Sequence, residues 1–91
     1  MNMSAHATTR ARQRSIPPLI IEWLEAYGEE IHDHRGGIIH HFTKKSRRKL
    51  EKIAGTQVVR QMTHWLNAYL VRSVDNGQII TVGYRFKQVK H

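Results

Sequence analysis

The residues of this chain best suited to chemistry are cations, and the densest group of them lies between residues 44 and 52. Lys and Arg outnumber Asp and Glu by 15 to 7 in 91 residues, which gives a formal net charge of +8. The central block contributes Lys44, Lys45, Arg47, Arg48, Lys49 and Lys52. A surplus this large in a small domain is typical of proteins that bind polyanions, nucleic acid above all.

Two sets of cations are predicted to contact the phosphate groups of a nucleic acid, with RNA favoured over DNA. The first set belongs to the central block and comprises Lys44, Lys45, Arg47 and Arg48. The second is an outward row on the last two predicted strands and comprises Arg72, Arg85 and Lys87. The alternative for both sets is an ordinary solvated basic face, which needs no partner.

Four histidines surround the Gly-Gly pair at residues 36–37, namely His32, His34, His40 and His41. In a hairpin with a two-residue or a three-residue loop, three of these imidazoles would share one face. Three nitrogen ligands are the number that a catalytic zinc site requires. Imidazoles on a flat hairpin face splay apart, however, so we assign no metal and no other cofactor to them.

Metal-independent cleavage of RNA is the enzymatic alternative. It needs a base for the 2′-hydroxyl proton, a cation beside the phosphorane and an acid for the leaving oxygen. The candidates for these three roles, in order, are His40 or His41; Arg47, Arg48 or Arg85; and Tyr84 or Lys87. No spacing in the sequence places them in one cleft, and we therefore assign no catalytic residue.

The composition fits one small folded domain that functions in the cytoplasm. The chain has no cysteine, which excludes disulfides, thiolate metal sites and cysteine nucleophiles. It also lacks a run of about 20 apolar residues that could span a membrane. Residues 1–8 are small and polar and are predicted to be flexible, so the predicted basic domain covers residues 9–91.

Helix end signals locate the first helical elements. Thr9 to Arg14 are predicted to form a short helical turn. A helix is predicted from the two prolines at residues 17–18 to Tyr27, with Gly28 as a left-handed residue that ends it.

Two further helices are predicted in the middle of the chain. Thr43 is the expected N-cap of the first, which runs to Ala54 and ends at Gly55. Its buried side is predicted to comprise Leu50, Ile53 and Ala54. The second begins with Thr56 as its cap, and its buried face is predicted to comprise Val58, Met62, Trp65, Leu66 and Tyr69.

The strands are predicted to form two hairpins, one around residues 36–37 and one around residues 76–77. The second turn is the Asn-Gly pair that favours a two-residue loop, which would place Val74 opposite Ile79. The core face of this hairpin would then comprise Val71, Ser73, Ile80, Val82, Tyr84 and Phe86. Its outward face would comprise Arg72, Thr81, Gly83, Arg85 and Lys87. The prediction is an α+β domain in the order α-ββ-αα-ββ, with helices packed on one face of antiparallel strands.

Three stretches resemble a group of small bacterial proteins of unsettled activity that are carried in mobile gene cassettes, such as those of integrons. They are residues 10–28, which include Arg-x-Arg-x-Arg-Ser-Ile-Pro-Pro; residues 33–48, which include Asp-His-Arg-Gly-Gly; and residues 80–85, Ile-Thr-Val-Gly-Tyr-Arg. The resemblance covers most of the chain beyond residue 8. It implies a protein encoded on a mobile element and no particular reaction.

A basic α+β chain that ends in an Ile-Thr-Val strand followed by Arg also resembles the RelE- and BrnT-like toxins of toxin–antitoxin systems. The likeness is one of architecture and charge, and it implies an endoribonuclease that cleaves messenger RNA. A third interpretation is a non-catalytic module that docks an acidic protein or forms a homodimer through an exposed hairpin edge. Nucleic-acid binding without catalysis is the leading hypothesis of the three.

Overall fold

The computed structural model describes residues 2–85, in which helices and an antiparallel sheet form an α+β fold. The helices are α1 (Ala5–Gln13), α2 (Pro18–Tyr27), α3 (Lys44–Ala54) and α4 (Thr56–Gln61). The strands are β1 (Glu29–His32), β2 (Gly37–His41), β3 (Ala68–Ser73) and β4 (Ile79–Tyr84). The strands lie in the order β1-β2-β3-β4, and each pairs antiparallel with the next. The predicted fold class is confirmed, and the predicted order of elements agrees with the structure in outline.

The core lies between the sheet and the helices. From α2, Ile20 and Leu24 are fully buried, and they meet a layer of sheet residues that includes Leu70 and Val82. Helix α3 adds Leu50, which is also fully buried. Burial of each such side chain stabilises the fold by about 1.5–3 kcal/mol. Among residues 2–85, no helix has both the length and the apolar character needed to cross a membrane.

The N-terminal segment is held against the last strand. Ser4 is the N-cap of α1 and accepts a hydrogen bond from the backbone N–H of Ala7. The backbone N–H of Ile79 donates to the carbonyl of Asn2, and the N–H of Ser4 donates to the carbonyl of Ile79. Helix α1 thus begins four residues before the predicted Thr9, and the predicted limit between residues 8 and 9 falls inside a helix.

Helix α2 has the predicted bounds, but the role predicted for Gly28 is wrong. Its φ of −68° lies outside the left-handed region. A Cβ atom at this position would lie 2.7 Å from the carbonyl oxygen of Leu24 and 3.1 Å from that of His41. Glycine is therefore needed here because the carbonyl of Leu24 in the last turn of α2, and strand β2 beside it, leave no room for a side chain.

Helix α3 also has the predicted bounds, with Thr43 as its N-cap and Gly55 at a φ of 95°. Its predicted buried side is wrong at Ile53, which is 60% exposed. Helix α4 ends at Gln61 and is followed by a 3₁₀ turn over Thr63–Trp65, so the predicted long helical face does not form. In α4 the buried residue is Val59 rather than Val58, and Tyr69 belongs to β3.

The predicted register of the second hairpin is wrong. The connection spans residues 74–78 instead of two residues, and Val71 lies opposite Thr81. A bulge between Val71 and Arg72 then places Arg72 opposite Ile79. A shift of one residue exchanges the two faces of a strand, so Val71 and Ser73 leave the core face and Arg72 joins it.

On β4 the prediction is partly right. Val82 is buried and Tyr84 packs against the core, as expected, whereas Ile80 is 39% exposed. Thr81 and Gly83 lie on the outward face, as predicted. Phe86, which is predicted for the core, and Lys87, which is predicted for the outward face, lie outside the described residues.

Candidate functional site

The N-terminal turn of α3 is held in place by two short hydroxyl side chains. The Thr43 hydroxyl accepts from the backbone N–H of Ser46 at 3.2 Å, and the backbone N–H of Thr43 donates to the Ser46 hydroxyl at 2.6 Å. A capping box usually has Glu or Gln at the position that Ser46 takes here. The first turn of α3 consequently contains no acidic residue.

The cations predicted to contact phosphate follow directly on this cap, and all four are exposed. They are Lys44, Lys45, Arg47 and Arg48. The positive end of the helix dipole lies at the same turn, so it adds to their potential instead of offsetting it. Positive charge is therefore concentrated at the N-terminal half of α3.

Helical spacing places part of this charge along one shallow depression. Lys44, Arg47, Arg48 and Glu51 line a space of about 240 Å³. Residues three and four apart on a helix are neighbours, which explains the grouping. Within residues 2–85, none of the three cations has a carboxylate at ion-pair distance. These ammonium and guanidinium groups face solvent.

The predicted placement of Arg72 on the outward row is wrong. Its Nε–H donates to Nε2 of His40 at 3.1 Å, and its Nη2 lies 3.8 Å from Oε1 of Glu30. Its side chain is only 25% exposed. Arg72 thus belongs to a polar group on the helix-covered face that extends from the buried His40 to the exposed Glu30, and its charge is already partly matched by that carboxylate.

His40 is the centre of that polar group. It is 1% exposed, and its Nδ1 lies 2.9 Å from the carbonyl oxygen of Leu24. A carbonyl can only accept and the Arg72 Nε–H can only donate, so the proton of the His40 ring lies on Nδ1. Both ring nitrogens have partners, and His40 ties the end of α2 to the middle of the sheet.

His41, the next residue, lies on the opposite face of β2 and has a different environment. Its Nδ1 accepts a hydrogen bond from Nη1 of Arg85, which places the ring proton on Nε2. His41 is 8% exposed, and no partner for Nε2 occurs in the part of the chain that the structure describes. A buried donor without a partner costs about 1–3 kcal/mol. Burial, followed by the charge of Arg85, lowers the pKa of His41 below its ordinary value.

A groove of about 420 Å³ lies over this outward face of the sheet, and we call it the sheet groove. It is lined by Ile31, Ile39, His41, Tyr69, Val71 and Arg85. Tyr69 packs across the neighbouring strand, since a Cβ on Gly83 would lie 3.1 Å from the Tyr69 ring. Gly83 thus leaves room for the ring.

The sheet groove is not predicted from the sequence. Trp65 and Leu66 precede Tyr69 at helical spacing, so the sequence predicts Tyr69 on the apolar face of a helix and not on a strand. Strand β3 also carries apolar residues on both faces, with Leu70 in the core and Val71 in the groove, so alternation could not reveal a site.

The predicted convergence of histidines does not occur. The connection of the first hairpin spans residues 33–36, and the register pairs His32 with Ile38 and Glu30 with His40. His34, which both predicted groupings include, therefore lies in the connection and not on a strand face. No group of three potential metal ligands is present among residues 2–85.

Asp33 explains the geometry of this connection. Its Oδ1 accepts from the backbone N–H groups of Arg35 at 2.7 Å and Gly37 at 2.9 Å. These two hydrogen bonds lower the pKa of Asp33 because they favour the charged carboxylate. The carboxylate shapes the loop, which is a structural role.

The candidates for RNA cleavage are likewise divided between the two faces. The Tyr84 hydroxyl donates to the carbonyl oxygen of Arg14 at 3.1 Å on the helix-covered side, and burial raises the pKa of Tyr84. His41 and Arg85 lie together on the outward side. The structure does not bring a base, a cation and the Tyr84 acid into one site, and Lys87 lies outside the described residues.

Comparison of this chain with models of known protein families, with curated proteins and with solved structures found no match. The resemblances to cassette-encoded proteins and to RelE- and BrnT-like toxins therefore stay predictions. Function must be inferred from the positions of charges, hydrogen bonds and cavities in the fold.

Proposed function

We propose that this chain binds the sugar–phosphate backbone of nucleic acid through the N-terminal half of α3, with RNA the preferred form. The supporting observation is the exposed group formed by Lys44, Lys45, Arg47 and Arg48 at the positive end of a helix whose first turn has no acid. Backbone phosphates supply the negative charge that this turn lacks.

A comparison with α1 supports an external anion as the partner of this group. In α1, Arg10 and Arg12 occupy the last turn, where the helix dipole is negative. Each cation there stabilises its own helix by about 0.3–1 kcal/mol, so its position needs no partner. In α3 the cations lie at the N-terminal end, where the helix dipole is positive. They are repelled there by the dipole and by one another. Helix stability alone would favour acidic residues at that turn.

The binding surface has five cations within the described residues. They are Lys44, Lys45, Arg47, Arg48 and Arg85. Arg72 is excluded by its bonds to His40 and Glu30. Arg85 is included because its guanidinium contacts His41. His41 precedes Lys44 by three residues, so the Cα atoms of these two residues lie within about 10 Å of each other.

The dependence of affinity on salt tests this surface. With five phosphates neutralised and about 0.7 counterions released per phosphate of a single strand, log K should fall against log salt with a slope of about −3.5. Fluorescence anisotropy of a labelled RNA at several salt concentrations measures this slope. A flat salt dependence, or no binding of RNA or DNA at low salt, would contradict the proposal.

A matched pair of double variants locates the contact. Lys44→Gln with Arg47→Gln should weaken RNA binding and reduce the slope by about 1.4, since two phosphate contacts are lost. Lys52→Gln with Arg60→Gln removes the same net charge at exposed positions in the last turns of α3 and α4. This control should retain most of the affinity. Equal losses in the two variants would mean that net charge, and not the N-terminal half of α3, attracts the RNA.

A further inference from the structure

The sheet groove has the composition of a small-ligand site. Ile31, Ile39 and Val71 give it apolar walls, and Tyr69 adds an aromatic ring. His41 and Arg85 are its polar members. Binding sites for small planar groups combine largely apolar walls with a few polar groups that fix orientation.

The groove offers the N–H donors of Arg85 and the Tyr69 hydroxyl, which can donate or accept. Arg85 uses one N–H on His41 and carries four more, because a guanidinium has five. His41 holds its proton on Nε2, but this atom is buried from solvent, so the donors that a ligand in the groove can reach are those of Arg85. A ligand that satisfies this groove therefore has a planar apolar face and acceptor atoms on its edge.

We infer that the sheet groove takes one unpaired base of a single-stranded RNA whose backbone lies on α3. A base has a flat face that can stack on Tyr69 and carbonyl or ring-nitrogen acceptors on its edge. His41 is part of the groove and Lys44 follows it by three residues, so the Cα atoms of these two residues lie within about 10 Å of each other. This inference depends on the proposed function and specifies that the nucleic acid recognised is single-stranded, with an unpaired base.

A second copy of the chain is a poorer occupant of the same groove. A stable protein–protein interface uses about 20–30 residues on each side, whereas six residues line this groove. Two copies would also bring together chains of formal charge +8. A strand of RNA compensates that charge, and a second copy adds to it.

Three probes of equal length test the inference, namely a single-stranded oligouridine, the same backbone with abasic sites, and an RNA duplex. The wild-type chain should bind the oligouridine about tenfold more tightly than either of the others, because only it presents free bases. Anisotropy at fixed salt measures the three affinities.

Substitution at Tyr69 tests whether the groove causes the difference in affinity between the oligouridine and the abasic strand. Tyr69→Leu should lose about tenfold in affinity for the oligouridine and nothing for the abasic strand, whereas Tyr69→Phe keeps the stacking ring and should bind as the wild type does. If Tyr69→Leu does not fold, uridine monophosphate added to the wild-type chain should shift the NMR signals of Tyr69 and His41.

The outcomes separate this inference from the proposed function. Equal affinity for the abasic strand and the oligouridine, with the loss in the Lys44→Gln and Arg47→Gln variant retained, would overturn the base site and leave backbone binding standing. No binding of any probe would overturn both. Sedimentation that shows a dimer dispersed by Ile39→Arg would assign the groove to a second copy and also overturn the base site.

Discussion

The two faces of the sheet differ most clearly at the adjacent residues His40 and His41. On the helix-covered face, both ring nitrogens of His40 have partners, the carbonyl of Leu24 and the Nε–H of Arg72. On the outward face, His41 has Arg85 on Nδ1, and within residues 2–85 its Nε2 has none. Both side chains are buried, so exposure does not explain the difference.

The difference separates a residue that holds the fold together from one that the fold alone does not explain. A buried polar side chain with every group bonded specifies one packing arrangement. A buried donor without an acceptor destabilises the chain that carries it, and in a native fold each such group calls for an explanation, such as a functional role or a bound water or ion. His40 is therefore assigned to structure and His41 to the candidate site.

Removal of His40 should give the largest effect on stability. His40→Leu keeps a similar volume but leaves the Arg72 Nε–H without its acceptor and detaches the end of α2 from the sheet. The free energy of unfolding should fall by about 2–3 kcal/mol, measured by urea denaturation. A loss of less than about 0.5 kcal/mol would show that the hydrogen bonds of His40 do not stabilise the fold.

The same substitution on the other face is the matched control. His41→Leu removes a donor that has no partner among the described residues, and the exposed Arg85 can turn to water. The free energy of unfolding should stay within about 1 kcal/mol of the wild-type value or rise. If His41→Leu destabilises as much as His40→Leu, the two faces are equivalent and the comparison fails.

The smallest effect is expected in the pH dependence of stability. The folded state lowers the pKa of His41, so below the ordinary value of about 6.5 the unfolded chain binds more protons. The stability that this shift contributes should be fully present above that value. It should be lost as the pH falls from that value toward the lower pKa of His41 in the folded state. Glu29, opposite His41 on β1, opposes this shift, and Arg85 and His40 add to it.

Urea denaturation of the wild type and of His41→Leu at several pH values measures this contribution. The variant should lose less stability between about pH 7 and pH 5, since it lacks the titrating group. The Asp33 carboxylate, whose pKa is lowered from 3.8, acts in a separate range, because its contribution is lost only as the pH falls below that value. Parallel curves for the two proteins would show that His41 titrates alike in the folded and unfolded chains.

The parts of the candidate site that lie on one helix were predictable from the sequence. The Thr43 cap, the end at Gly55 and the four cations after the cap depend on neighbours within a few positions of the chain. The parts that lie on strands were not. The assignment of Arg72 to the outward face depended on a two-residue loop, and the longer connection with its bulge at Val71 and Arg72 exchanged the faces.

The sequence alone determined the α+β class, the bounds of α2 and α3 and the concentration of charge on α3, because helix caps and helical spacing act over three or four residues. The tertiary structure decided which cations remain unmatched and that His41, Tyr69 and Arg85 share one groove. The physical reason is that strand pairing joins residues distant in the chain. A slip of one position, which local sequence barely penalises, turns each side chain of a strand to the other face.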